Sequence, residues 1–195
     1  MAGKKRKVDD VELPTKQELY YMINRLESNN TDRDRALVAF EYLSGARVTE
    51  ILGQGIKLAA VKRSQVEKIN KVGVDFIIIH GVVTLKRKER IKRNILIPVK
   101  KEKDILDVFI KYINTLQPDE PLFKMTRQRA WQITKEHTGF FNHFFRHMRA
   151  THLTELYGFT AQELRHFFGW STSRTADKYS HLSIDSIARK MAISE

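Results

Sequence analysis

From Pro14 onward the hydrophobic positions recur at the three-and-four spacing of amphipathic helices, interrupted once by a stretch rich in β-branched residues. Leu19, Met22, Ile23 and Leu26 share one face of a first helix, which Thr15 can cap with Glu18 three residues on. After the polar break ESNNTDRD come Leu37, Phe40, Tyr42, Leu43, Val48, Ile51 and Leu52, which predict two helical pieces across Arg35 to Leu52. The Ser44-Gly45 pair separates them and sets Arg47 at the start of the second. Residues 53 to 73 are ambiguous, with a helical signal confined to Val61 to Ile69. Two strands follow, Asp75 to Val83 and Arg93 to Val99, with the charged tip KRKERIK of a long hairpin between them. An amphipathic helix over 102 to 117 is ended by Pro118 and Pro121, and further helices are predicted over 126–136, 140–157, 160–168, 172–180 and 183–193. The expected fold class is mainly α with a small antiparallel sheet or hairpin, an α+β chain.

Composition narrows the partners. A chain of 195 residues with 42% hydrophobic content suits one domain with its own core. The net charge of +12 favours a polyanion, because lysine and arginine that neutralise backbone phosphates release condensed counterions. No apolar run reaches the length of a membrane span and no signal-peptide pattern follows the basic start, so no membrane partner is expected. The absence of cysteine excludes disulfides, thiolate nucleophiles and cysteine-based zinc sites. Residues 1 to 13 read as a mobile arm or linker remnant; their KKRKV run also resembles a nuclear-import signal.

Cleaving a phosphodiester needs a nucleophile, positive charge around the non-bridging oxygens, and a proton for the leaving hydroxyl. Asp32 and Asp34 form a DxD in a polar break, where helix capping accounts for them, and no metal site is expected. Paired guanidinium forks can supply the charge instead. His143 and Arg146 lie three apart on one helix face, with Phe140, Phe141, Phe144, Phe145 and Met148 anchoring the other faces. A solvated basic face is the competing interpretation of that pair, as a surface ion pair is of Arg47 with Glu50. His147 and His152 are read as structural. The hairpin tip offers Lys86, Arg87, Lys88, Arg90, Lys92 and Arg93, either solvated or inserted in a DNA groove. Tyr179, alone, would be read as amphipathic core.

Taken in order, RDRALVAFEYLSGARVTEIL, the basic hairpin ending in ILIPV, HFFRHMRATHLTEL and LRHFFGWSTSRTADKYSHL resemble the catalytic domain of the tyrosine recombinases, the phage-integrase and Xer family. Arg146 precedes Tyr179 by 33 residues and Trp170 precedes it by nine. The resemblance implies a tyrosine-recombinase catalytic domain over 14–195 without the usual N-terminal core-binding domain. It implies that Arg47 and Arg146 clamp the scissile phosphate, Tyr179 is the nucleophile, His143 assists proton transfer, Trp170 hydrogen-bonds or packs, and Glu50 supports Arg47. A hairpin lysine would be the general acid, Lys86 first, then Lys88 and Lys92. The implied activity is site-specific strand cleavage and rejoining through a 3′-phosphotyrosyl intermediate, with no cofactor, metal or ATP. The implied partner is double-stranded DNA carrying a recombination site, in a tetramer linked through the C-terminal helix. The setting would be cytoplasmic and nucleoid-associated, or nuclear in a eukaryotic host, and an archaeal mobile element fits the lysine- and isoleucine-rich, cysteine-free composition. A type IB topoisomerase and a non-catalytic DNA-binding regulator on the same scaffold are the competing readings.

Overall fold

A computed structural model describes residues 13–85 and 90–170, together with Thr175. Lys86, Arg87, Lys88 and Tyr179, the arm before residue 13, and the expected helices over 172–180 and 183–193 lie outside the described residues. Among the described residues seven α-helices and three strands run in the order α1 (Lys16–Arg25), α2 (Thr31–Ser44), α3 (Val48–Leu52), β1 (Val66–Lys71), β2 (Val74–Leu85), β3 (Arg90–Pro98), α4 (Lys103–Ile113), α5 (Arg127–Thr138), α6 (Asn142–Tyr157) and α7 (Ala161–Phe168). The mainly α architecture with a small antiparallel sheet is the one expected. Among the described residues no helix is long and apolar enough to cross a membrane.

Helix α1 begins as its sequence dictates. Thr15 Oγ1 accepts from the Glu18 amide while the Glu18 carboxylate accepts from the Thr15 amide, a reciprocal capping box. Helix α2 is the hub: its residues from Ala36 through Leu43 are buried all round, and it packs on α4, α6 and α1. Phe40 stacks on Phe109 of α4 with ring centroids 4.7 Å apart. An apolar helix surrounded by others has no solvent face to keep polar. Asp32 and Asp34 are in its first turn, favourable for the helix dipole, but as ion-pair partners and not as caps. Asp34 accepts from Ser28 Oγ and Arg33, and Asp32 from Lys111 Nζ.

The sheet is a meander, β1-β2-β3, both pairings antiparallel. Here two expectations give way. The helical signal at Val61 to Ile69 is overridden by pairing: Val66 to Lys71 lie in register with Ile79 to Val74 as an edge strand. The connecting turn is Val72-Gly73, both with positive φ, +47° and +76°. That is the two-residue hairpin geometry, but with a β-branched residue where asparagine or aspartate would announce it. At the other end, β2 and β3 stay paired as far as Leu85 and Arg90. Arg90, Ile91, Lys92 and Arg93 therefore belong to strand β3, and only 86–89 connect the pair. Helix α4 also stops short, at Ile113, with turns and not helix carrying the chain on to Pro118.

Behind the sheet, α6 brings Phe144, Phe145 and Met148 into the main core, while Ala150 and Leu153 form a smaller cluster with Leu164 and Phe168 of α7. Deep in this region Arg149, fully buried, donates to Glu102 Oε1 at 2.5 Å. Tyr157 donates to the same oxygen and Lys16 Nζ reaches the other at 3.2 Å. His152 is held with Tyr42, Nδ1 to hydroxyl 2.9 Å, and burial pushes its pKa down to about 4, so it is a neutral structural histidine.

Candidate active site

The site is assembled where the end of α2, the start of α3, strand β3, helix α6 and the end of α7 converge. Gly45 closes α2 in the left-handed conformation, φ +54°, its amide donating to Glu41 O and Tyr42 O. A Cβ at this position would sit 2.3 Å from Phe168 Cε1, so glycine is required both by the backbone and by the ring beneath it. The turn delivers Arg47 to the first position before α3, as the sequence implies. Glu50, one turn on, accepts from the Arg47 amide at 3.1 Å and from Arg47 Nη1 at 2.8 Å.

Glu50 is the electrostatic centre. Its carboxylate is fully buried, and besides Arg47 it has Arg93 Nη2 at 3.5 Å and Arg146 Nη1 at 3.9 Å. Among the described residues, three guanidinium charges face this one carboxylate, an excess of two positive charges in a partly desolvated recess. Such a recess is a receptor for an anion, because its unbalanced charge lies where water screens poorly. Arg146, 2% exposed, is immobilised: Nη1 donates to Gly45 O at 2.7 Å and Nη2 to Phe168 O at 2.9 Å. The guanidinium also lies over the Phe168 ring at 4.7 Å and the Trp170 ring at 5.5 Å, and those two rings stack on each other.

His143, one turn before Arg146 on α6, stands exposed at the rim. Desolvation, then the charges of Arg146 and Arg47, hold its pKa below the ordinary histidine value, so at pH 7 it is a neutral imidazole able to take a proton. Arg47, His143 and Arg146 open into one cleft of about 630 Å³, whose opposite wall carries Arg127, Trp131 and Phe141. Trp131 and Phe141 are 49% and 40% exposed, so Phe141 is a cleft wall and not the buried anchor expected of it. Nothing in the sequence marked Arg127 or Trp131, which reach the cleft only through the packing of α5 on α3.

The structure thus brings Arg47, Glu50, His143, Arg146 and Trp170 together. It separates the hairpin residues. Lys92 is exposed, whereas Arg93, expected to face DNA, is turned inward and is 7% exposed. Its Nη1 donates to Phe167 O and its other terminal nitrogen faces Glu50. Burial lowers its pKa to about 10, still well above neutrality, so the buried charge persists. The reason is strand period: Arg93 shares its face of β3 with Ile95 and Ile97, both fully buried. Alternation along RIKRNILIP was the signal that would have placed it.

One carboxylate serving three cations makes a direct prediction. Glu50→Gln removes the carboxylate charge that faces the buried Arg93 and Arg146 and is expected to lower stability by about 3 kcal/mol. Urea unfolding of the two proteins side by side measures this; an unchanged midpoint would mean that the guanidinium groups do not depend on Glu50.

No family model matches the chain. Among curated proteins it is similar to tyrosine recombinase XerD of Staphylococcus epidermidis, 29% identical over 186 residues, covering 85% of this chain and 55% of the relative. The chain therefore spans about half the length of the curated relatives it matches. Among solved structures it is similar to XerH site-specific recombinase bound to difH substrate, with a TM-score of 0.57, 20% identity, and coverage of 91% of this chain and 53% of the other. XerA recombinase gives a TM-score of 0.56 at 18% identity, covering all of this chain and 66% of the other. The Tn1549 transposon integrase in complex with circular intermediate DNA gives 0.57 at 14%, covering 98% and 67%. These structural likenesses establish the fold. The chain is thus similar in sequence to a tyrosine recombinase and has the fold of the solved tyrosine recombinases and integrases.

Proposed function

We propose that residues 14–195 form the catalytic domain of a site-specific DNA recombinase or integrase, which cuts and rejoins strands through a 3′-phosphotyrosyl intermediate. The observation that carries this reading is the sharing of buried Glu50 by Arg47 and Arg146 at a cleft that also holds His143. In support, XerH was solved on its difH substrate and the Tn1549 integrase with circular intermediate DNA.

The scissile phosphate binds with its non-bridging oxygens toward Arg47 and Arg146, whose fixed forks match the charge that develops on a pentacoordinate phosphorus. The Tyr179 oxygen attacks phosphorus, and its proton passes to neutral His143 or to water. The bond from phosphorus to the 5′ oxygen breaks, and a hairpin lysine, Lys86 first, protonates the departing oxygen. Rejoining is the reverse: a 5′-hydroxyl attacks the phosphotyrosyl ester, and the phenol leaves with its proton restored. One phosphate ester is exchanged for another of similar free energy, so the cycle needs no ATP. The guanidinium pair supplies the charge that a metal ion supplies elsewhere. The double-stranded partner and a tetramer linked through the C-terminal helix belong to the same proposal, as does action wherever the host keeps its DNA.

The test uses a nicked duplex that releases a short strand after cleavage, so that rejoining is prevented. The expected result is a protein–DNA adduct that survives denaturation, with the label mapping to the Tyr179 peptide. DNA binding without adduct would mean a regulator; adduct with relaxation of supercoils but no strand exchange between paired sites would mean a topoisomerase.

A further inference from the structure

Helix α6 carries His143 and Arg146, yet it starts without a conventional cap. Its N-cap residue is Phe141, which offers no side-chain hydrogen bond to the exposed amides. The first turn, on which His143 sits, is held differently. Asn142, the first helical residue, directs its side-chain amide away from its own helix, donating to Glu41 Oε1 of α2 at 2.6 Å and to Thr134 Oγ1 of α5 at 3.0 Å. Glu41 is 1% exposed and Thr134 fully buried. No ion pair among the described residues involves Glu41.

Burial, more than the count of protons, sets the state of this cluster. Asn142 has two amide hydrogens, and both are used. Thr134 has one, and its hydroxyl lies 2.9 Å from Ala130 O of its own helix and 3.2 Å from Glu41 Oε2. Either oxygen can take the threonine proton; where Ala130 O takes it, the contact with Glu41 is made by a proton from the carboxyl. With Glu41 neutral, every donor meets an acceptor: Glu41 to Thr134, Thr134 to Ala130 O, Asn142 to both. With Glu41 ionised, Thr134 donates to Oε2 instead, and a full charge rests on two hydrogen bonds from neutral groups in a buried site, which is unfavourable. This burial pushes the Glu41 carboxyl up to about 8, more than offsetting the hydrogen bonds that Asn142 and Thr134 can donate to it.

We infer that Glu41 is a positioning residue: as a neutral acid, acting with Thr134, it clamps Asn142 and so fixes the first turn of α6 and the side chain of His143 against Arg47 and Arg146. The clamp takes the place of the missing cap and ties three helices together at the rim of the cleft. The inference rests on the recombinase reading for its effect on cleavage, but not for its effect on His143.

Two readouts test it together. In the first, single-turnover cleavage of the nicked substrate is compared with DNA affinity. Glu41→Leu and Asn142→Ala are each expected to slow cleavage by up to about 100-fold with little change in affinity. The pair combined should be no worse than either alone, because both break one clamp. Glu41→Gln, which keeps one acceptor and one donor in place, should cleave as the parent chain does. In the second, the His143 imidazole is titrated by NMR, its signals assigned with His143→Gln, while amide exchange is followed over 142–145. Glu41→Leu and Asn142→Ala should shift the His143 titration and speed exchange, and Glu41→Gln should change neither. Asn142 is only half-buried, so Asn142→Ala remains informative if Glu41→Leu does not fold. Should Glu41→Gln behave like Glu41→Leu, the cluster needs a charge and the inference is wrong. An unaltered His143 in Asn142→Ala would overturn it as well. If the parent chain makes no adduct while the NMR differences appear, the recombinase reading fails and the clamp stands.

Discussion

Tyr179→Phe is expected to bind a recombination-site duplex as tightly as the parent chain and to form no denaturation-resistant adduct on a suicide substrate. The substitution removes one oxygen and leaves a ring of the same shape, so packing is little altered, and the phosphates are held by cations elsewhere. The loss should be complete and not partial, since phenylalanine offers phosphorus no lone pair and no neighbouring residue in DKYSHL is a comparable phenol. Gel electrophoresis after denaturation reads the adduct, and a parallel mobility shift reads binding. An adduct of undiminished yield in the variant would assign the nucleophile to another side chain and would sink the reading as stated. Loss of binding alongside loss of adduct would instead make Tyr179 a structural residue.

The second large effect is expected at Arg146, where structure and chemistry coincide. Arg146→Ala should lower single-turnover cleavage by at least about 100-fold, the scale for removing one preorganised donor from a developing oxyanion. Affinity should fall far less, because binding is spread over many phosphate contacts. The geometry adds a consequence that the sequence pattern did not disclose. Arg146 is the hydrogen-bond donor for Gly45 O and Phe168 O, so alanine also leaves two carbonyls wanting partners at the junction of α2 and α7. A stability loss of about 2 kcal/mol or more is expected from that alone. Arg146→Lys separates the contributions: it keeps the charge and one donor, so it should recover much of the fold while cleavage stays depressed, for lack of a planar fork. Unfolding curves, cleavage rates and dissociation constants for the three proteins check this. Cleavage and affinity falling in equal proportion would make Arg146 a phosphate-positioning residue with no special role in the transition state.

Most of the helical frame could be read from the chain because local chemistry and tertiary structure agree there. Thr15 and Glu18 form the box that their spacing announces, and Gly45 ends α2 where the Ser44-Gly45 break stands. The placement of Glu50, His143 and Arg146 on helices, and of Arg47 just before one, was legible for the same reason, since strong apolar neighbours set the phase of those helices, whereas the roles expected of them came from the family resemblance. What escaped depended on distant partners. Strand β1 has a weak pattern of its own and exists because β2 supplies its hydrogen bonds, through a turn whose Val72 hides the usual signal. Arg93 was misjudged by counting charge along the hairpin when strand alternation was the governing period. Glu41 and Arg149 are buried ionisable residues whose partners, Asn142 and Glu102, are far off in sequence, and no local pattern marks such pairs.

The inward turn of Arg93 has a consequence for descent. Because positions 47, 50, 93 and 146 converge on one carboxylate, no one of them is free to drift alone: losing the acid strands buried cations, and losing the strand arginine alters the field in which the other two work. Divergence at this crossing should proceed by compensated exchanges. A homologue that has replaced Arg93 with an apolar residue would be expected to have altered whatever stands beside its acid, so the hairpin and the arginine pair proposed to hold the phosphate inherit change as a unit.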